Sequence, residues 1–258
     1  MLPIKEKEIL TGNKEVYTIK MHNSDNTTNL PNSAKFEKPT KRISRAKYKM
    51  YFWRLSVGSA YFLKRILNIV VSVFMILLLL PFLVLTALLI KIESKGPVIY
   101  RQTRVGKDGR HFTFYKFRSM FIDADARKDQ MLSQNDSADG VIFKMKNDPR
   151  MTRVGRFIRK YSIDELPQLF NVLEGTMSLV GPRPPLPREV AQYTLDERKR
   201  LHIKPGITCI WQISGRSDIP FKQQVQLDEQ YIKNHNFFKD IIILLKTIPA
   251  IITGKGAY

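Results

Sequence analysis

Ile66-Leu67-Asn68-Ile69-Val70-Val71-Ser72-Val73-Phe74-Met75-Ile76-Leu77-Leu78-Leu79-Leu80-Pro81-Phe82-Leu83-Val84-Leu85-Thr86-Ala87-Leu88-Leu89-Ile90 contains no charged residue. Lys64 and Arg65 precede it, and Lys91, Lys95, Arg101 and Arg104 follow. A bilayer core takes about 20 apolar residues as a helix. Pro81 divides the run into pieces about 22 Å and about 14 Å long, each shorter than that core. Lys and Arg collect on the cytoplasmic side of membrane segments. Two basic flanks therefore favour a re-entrant, helix-break-helix segment with both ends in the cytosol. Pro81 supplies the break, because it lacks an N–H and clashes with the Leu77 carbonyl. A kinked spanning helix and a buried helix of a soluble core are the competing readings.

The chain has 258 residues and a net charge of +20. Residues 1–65 carry +9 and residues 91–258 carry +11. Such a balance calls for an anionic partner. Beside an apolar segment, acidic lipid or a phosphate-bearing substrate fits better than nucleic acid. The single Cys209 excludes an internal disulfide and fits a reducing compartment. The apolar run starts too late and is too long for a signal peptide.

Residues 1–46 are polar and aperiodic, and read as a disordered basic tail. Residues 47–95 join an aromatic and basic juxtamembrane helix to the apolar segment. Residues 96–258 read as one cytosolic domain. Within it, Gly96-Pro97 opens a strand to Gln102, and Phe112–Arg118 pairs with it as a hairpin. Helical stretches are predicted over Asp123–Leu132, Arg153–Lys160, Leu166–Leu173, Val190–Leu201, Val225–Asn234 and Phe237–Ile252, with a polar loop over Ser133–Gly140. The last helix suits the domain surface or the membrane surface. The fold class is α+β and mainly helical: a small cytosolic domain with a short β-hairpin on a re-entrant anchor.

Asp164-Glu165 follows Arg153, Arg156, Arg159 and Lys160. A capping box on Ser162 and Glu165 is the plain structural alternative. Pro167 opposes that frame and moves the helix start to Asp164 or later, with Pro167 in the first turn. One carboxylate could then attack phosphorus while its neighbour holds Mg²⁺. Gly181-Pro182-Arg183-Pro184 is a rigid turn presenting one guanidinium, and Trp211–Arg216 presents another on a glycine turn. Asp123-Ala124-Asp125 has the weak D-x-D pattern of metal-dependent glycosyltransferases. No Walker A loop, G-x-G-x-x-G or zinc-type cluster is present.

Further signposts stand in order along residues 60–258: Gly96-Pro97-Val98, Arg101-Gln102, Lys116-Phe117-Arg118-Ser119-Met120, Asn147-Asp148-Pro149-Arg150, Asp164–Leu169, Met177–Pro184, Lys204–Thr208 and Trp211–Arg216. This ordered set resembles the bacterial sugar transferase family, monotopic phosphoglycosyl transferases that initiate capsule, exopolysaccharide and O-antigen synthesis. The resemblance implies transfer of a sugar-1-phosphate from a UDP-sugar to undecaprenyl phosphate at the inner face of the bacterial membrane, with release of UMP. It implies Asp164 as nucleophile, Glu165 with Asp164 as holders of Mg²⁺, and Lys116 in the catalytic site. It implies Arg159, Arg183, Arg216, Asp228 and Asp240 as substrate-binding residues. Nucleic acid is not an implied partner, and homo-oligomerisation stays open. Two positions depart from the family pattern: Leu80 replaces a serine before the membrane proline, and Asn68 replaces an aspartate. Two other classes remain for comparison. A D-x-D glycosyltransferase would release UDP, and a membrane-tethered basic module would release no nucleotide. No residue reads as a contact specific to one sugar.

Overall fold

The computed structural model describes residues 6–10, 16–20, 41–124, 126–127, 145, 148–254 and 256. By internal contacts the chain divides into Met1–Ser59 and Ala60–Tyr258. In the first unit β1 (Glu6–Leu10) and β2 (Val16–Lys20) pair antiparallel, with Glu6 opposite Lys20. Residues 1–46, read as a disordered tail, thus include a hairpin, favoured by the β-branched and aromatic run Val16-Tyr17-Thr18-Ile19. Asp125, Asn147, the polar loop over Ser133–Gly140 and most of the helix predicted from Asp123 lie outside the described residues.

Helix α1 runs from Lys41 to Glu93 without interruption. The break predicted at Pro81 is therefore not found as a break. Proline removes one N–H and crowds one carbonyl, while the flanking turns keep their own hydrogen bonds. One turn later, Thr86 Oγ1 donates to the Phe82 carbonyl at 2.8 Å. The stretch Tyr61–Glu93 is long and apolar enough to cross a membrane. Most of its side chains face outward, among them Phe74, Leu77, Leu78, Leu80, Leu85 and Leu88.

One face of α1 is buried on the residues that follow it. Val71, Met75 and Ile76 pack on a core of Phe114, Leu169, Val172, Met177 and Leu179. Leu83 and Ala87 pack with Ile90 on Phe117, Ile158 and Ile163. Polar clamps hold both ends of this face. Lys64 Nζ pairs with Asp240 at 2.8 Å, and it also donates to Tyr231 Oη at 2.9 Å and to the Val180 carbonyl at 3.2 Å. Arg65 donates to the carbonyls of Val172 and Leu173. Asn68 accepts from Leu179 N at 3.2 Å and donates to Ser178 Oγ at 3.0 Å. At the far end, Glu93 accepts from Arg153 N at 2.6 Å and Val154 N at 3.0 Å.

The predicted hairpin is β3 (Ile99–Val105) against β4 (His111–Phe117), with Tyr100 opposite Lys116. Helix α2 is Arg153–Lys160 and α3 is Gln168–Glu174. The helix predicted over Val190–Leu201 is split instead. Helix α4 covers Pro187–Ala191, and a 3₁₀ turn covers Glu197–His202. Thr194 and Glu197 cap each other reciprocally, at 2.7 and 3.3 Å, so a new turn starts there. Sequence patterning missed a parallel pair of three-residue strands, β5 (Ser178–Val180) and β6 (Gly206–Thr208). Beyond them come α5 (Ile210–Ser214), α6 (Phe221–Asn234) and α7 (Phe237–Thr253). A Cβ on Gly206 would stand 2.1 Å from Gly181 N, so the two backbones approach as only glycine permits.

Asp240 accepts from Tyr231 Oη at 2.6 Å as well as pairing with Lys64, and it is buried. Asp240→Ala leaves the Lys64 ammonium without its counter-ion, at an expected cost of about 3–5 kcal/mol. Chemical unfolding in detergent measures this; a loss below about 1 kcal/mol would show that the clamp does not hold α1.

Candidate active site

Ser162 is left-handed, with φ 54°, and turns the chain from α2 into a single 3₁₀ turn, Ile163–Glu165. Its hydroxyl makes no cap bond, so the capping-box frame is not adopted. Pro167 stands at the N-cap of α3 instead. Asn171, fully buried in α3, holds the edge of β4: its Nδ2 donates to the Thr113 carbonyl at 2.7 Å, and Oδ1 accepts from Tyr115 N at 3.1 Å. That side-chain amide substitutes for a missing neighbour strand. It sets the turn bearing Asp164 against the strand bearing Lys116.

Asp164, Glu165, Lys116, Arg159, Arg183 and Arg216 line one cavity of about 290 Å³. The Gly181–Pro184 turn delivers Arg183, whose Nη1 donates to Glu165 Oε1 at 2.9 Å. Arg216 sits left-handed, with φ 53°, directly after Gly215. Two non-glycine residues in this uncommon conformation therefore line the same cavity, a form of strain that concentrates at functional sites.

The cavity is electrostatically unbalanced. Burial, and then the neighbouring Glu165, push the Asp164 carboxyl up to about 6, against the pull of Arg159, Lys116 and Arg183. Burial lowers Lys116 to about 8, although Asp164 opposes the change. Burial also works against the charge of Arg183, but Glu165 outweighs it and holds that guanidinium above its ordinary value. Burial and Arg183 together lower Arg104 to about 10. Among the described residues, Asp164 makes no side-chain hydrogen bond or ion pair, and none is made with a carboxylate by Lys116, Arg104 or Arg159.

No group of three or more His, Cys, Asp or Glu side chains converges among the described residues. A closed protein cage for a metal is therefore not present among them. Asp164 and Glu165 fit Mg²⁺ of the kind bound through one or two carboxylates and completed by water and substrate phosphate. Asp164 has no cationic hydrogen-bond partner among the described residues, which leaves its oxygens open to such an ion.

Asp228 and Asp240 are not brought to the cavity wall. Asp228 is buried and accepts from Arg200 Nε at 2.7 Å, and burial raises it to about 6 despite that partner. It backs one wall residue, Trp211, while its partner Arg200 lies outside this cavity. Asp240 belongs to the α1 clamp. Arg104 and Asn171 were missed as site residues. Arg104 reads in sequence as part of a basic membrane flank. Asn171 carries no motif, because its role depends on a strand 56 positions away.

The family model for bacterial sugar transferases matches residues 59–254. The chain belongs to the bacterial sugar transferase family. The chain is 51% identical over 166 residues to a galactosyl transferase, CpsE, of Streptococcus agalactiae; the match covers 64% of this chain and 37% of that protein. It is 44% identical over 207 residues to the undecaprenyl-phosphate galactose phosphotransferase of Salmonella typhimurium, covering 79% and 43% respectively. It is 38% identical over 198 residues to the exopolysaccharide production protein ExoY of Rhizobium meliloti, covering 76% and 88%. The chain thus spans less than half of the first two relatives and most of the third.

Because the folded state raises Asp164, its ionised form opposes folding at neutral pH. That penalty disappears as pH falls through about 6 toward the unfolded value near 4. Asp164→Asn is expected to stabilise the protein by roughly 1–3 kcal/mol at pH 7, and by less at pH 5. Unfolding curves at both pH values check this; destabilisation at pH 7 would show that Asp164 is compensated.

Proposed function

We propose that this transferase moves a sugar-1-phosphate from a UDP-sugar to undecaprenyl phosphate, as an initiating step of exopolysaccharide or capsule synthesis. The observation that carries the reading is a buried Asp164, unpaired among the described residues, in a cavity walled by Lys116, Arg104, Arg159 and Arg183. Phosphoryl transfer asks mainly for positioning and charge neutralisation, and this wall supplies both. The relatives, which include proteins named as galactose and N-acetylgalactosamine phosphotransferases, support the substrate class.

In the first step an Asp164 oxygen attacks the sugar-bearing phosphorus. The bond from that phosphorus to the bridging oxygen breaks, and UMP leaves with the bridging oxygen and its electron pair. In the second step an oxygen of undecaprenyl phosphate attacks the same phosphorus, and Asp164 departs as a carboxylate. Lys116, Arg159 and Arg183 hold the phosphate charge through both steps. Mg²⁺ held at Glu165 and Asp164 would add further neutralisation of the diphosphate.

The apolar part of α1 is read as a monotopic anchor at the cytoplasmic face. Asp240 and the N-terminus of α2 lie in one compact unit, yet they grip opposite ends of the apolar run. A helix crossing a core of about 30 Å would carry one of its ends out of reach. This favours a re-entrant or interfacial path with both flanks on one side.

Wild type with UDP-galactose, undecaprenyl phosphate and Mg²⁺ is expected to release UMP, and Asp164→Asn to lose at least about 10³-fold in rate together with the covalent phosphosugar adduct. UDP as product, or full turnover by Asp164→Asn, would sink the reading. The kcat/KM profile should be bell-shaped, falling below about pH 6 as Asp164 protonates and above about pH 8 as Lys116 loses its charge. Ala60→Cys and Lys95→Cys should both react with an impermeant maleimide from the cytosolic side only. Reaction from opposite sides would establish a span.

A further inference from the structure

The turn that carries Arg183 has little of its own to hold it. Prolines at 182, 184 and 185 have no N–H, so within Gly181–Pro185 only Gly181 and Arg183 can donate a backbone hydrogen bond. The turn is therefore held by its two ends. On the outgoing side β3 fixes it: Arg104 Nη1 donates to the Pro184 carbonyl at 2.9 Å, and Val105 N donates to the Pro185 carbonyl at 3.0 Å. On the incoming side it continues β5. There Gly181 N donates to the Thr208 carbonyl at 3.0 Å, and Gly206 N donates to the Pro182 carbonyl at 2.9 Å. A parallel pair of three-residue strands is too short to hold its own place. The other edge of β5 has no strand beside it among the described residues. It has α1 instead. Asn68 Oδ1 accepts from Leu179 N at 3.2 Å, and Asn68 Nδ2 donates to Ser178 Oγ at 3.0 Å. One turn earlier, Lys64 Nζ donates to the Val180 carbonyl at 3.2 Å. All three residues of β5 are thus bonded to α1, and Asn68 is buried against them.

We infer that Asn68 is a positioning residue for Arg183: it stands in for an edge strand of β5, and through that strand it sets the Arg183 guanidinium against Glu165. The role of Arg183 in turnover rests on the phosphoglycosyl transferase reading; its placement by Asn68 does not. Asn68 lines no part of the cavity. It acts along the chain, because Leu179, whose N–H it receives, stands four residues before Arg183. Remove the acceptor and the Leu179 N–H is buried without a partner, which favours a shift of the strand. Arg183 Nη1 meets Glu165 Oε1 at 2.9 Å. A displacement of about 1 Å breaks such a contact and is enough to slow a positioned reaction severalfold. The helix read as the anchor therefore also shapes the wall opposite Asp164.

The test uses the full chain in lipid nanodiscs, with UMP release from UDP-galactose as the assay. Asn68→Ala is expected to lower kcat/KM about tenfold. Asn68→Asp keeps an acceptor for Leu179 N and is expected to stay within about twofold of wild type. A double-mutant cycle separates positioning from a merely structural role. In an Arg183→Ala background, Asn68→Ala is expected to cost less than about twofold, because the group it places is gone. An equal loss in both backgrounds, or an Asn68→Asp variant as slow as Asn68→Ala, overturns the assignment. Hydrogen exchange follows the path without any turnover. Asn68→Ala is expected to speed exchange at the Gly181 and Gly206 amides by at least about tenfold while the amides of α6 keep their wild-type rates. Asn68 bonds neither glycine, so unchanged exchange at both overturns the assignment, and exchange decides wherever turnover is too slow to read. A wild type that releases no UMP overturns the functional reading instead, and the placement of Arg183 then stands or falls on exchange.

Discussion

One compact unit grips both ends of an apolar helix, and the rest of the structure is arranged around that grip. Lys64 and Arg65 are ordinary basic flank residues by composition. In the fold their charges are used inward, on Asp240 and on the open carbonyls at the end of α3. Glu93 does the reciprocal work at the other end by capping the first amides of α2. The two helices gripped are those that flank Ser162 and Asp164. The anchor and the acidic turn are thus fixed by the same contacts.

The second constraint is charge. Five cations and two carboxylates converge in a buried space where burial alone lowers Lys116 and raises Asp164. Such a cavity is costly as it stands. It becomes favourable when an anion with several charges enters, and a diphosphate has that character. The cost is offset by structure away from the site, in the apolar core behind β4 and α3 and in Asn171, which closes the edge of β4 with both ends of its amide.

Local patterning recovered the hairpin and most helices because their determinants are short-range. Alternation fixes β3 and β4, and helices α2, α6 and α7 carry their own periodicity. Pro167 told against the capping-box frame, although it stands at the N-cap of α3 and not in its first turn. The failures have separate causes. The three-residue strands β5 and β6 exist only because Gly181 and Gly206 allow two distant backbones to approach. The stretch after Val190 breaks where Thr194 and Glu197 cap a new turn. Pro81 marks a lost hydrogen bond, but the turns around it hold the helix together.

By itself the sequence determined the apolar segment with its basic flanks, the family, and the residue types of the acidic pair and its arginines, because these are properties of composition and of ordered motifs. Only the tertiary structure decided which charges meet. It brought Asp164, Glu165, Lys116, Arg159, Arg183 and Arg216 to one cavity, added Arg104, and withdrew Asp228 and Asp240 into buried ion pairs. A carboxylate facing a cavity and one locked to a lysine look alike in one dimension. They differ in the burial and partners that distant segments supply.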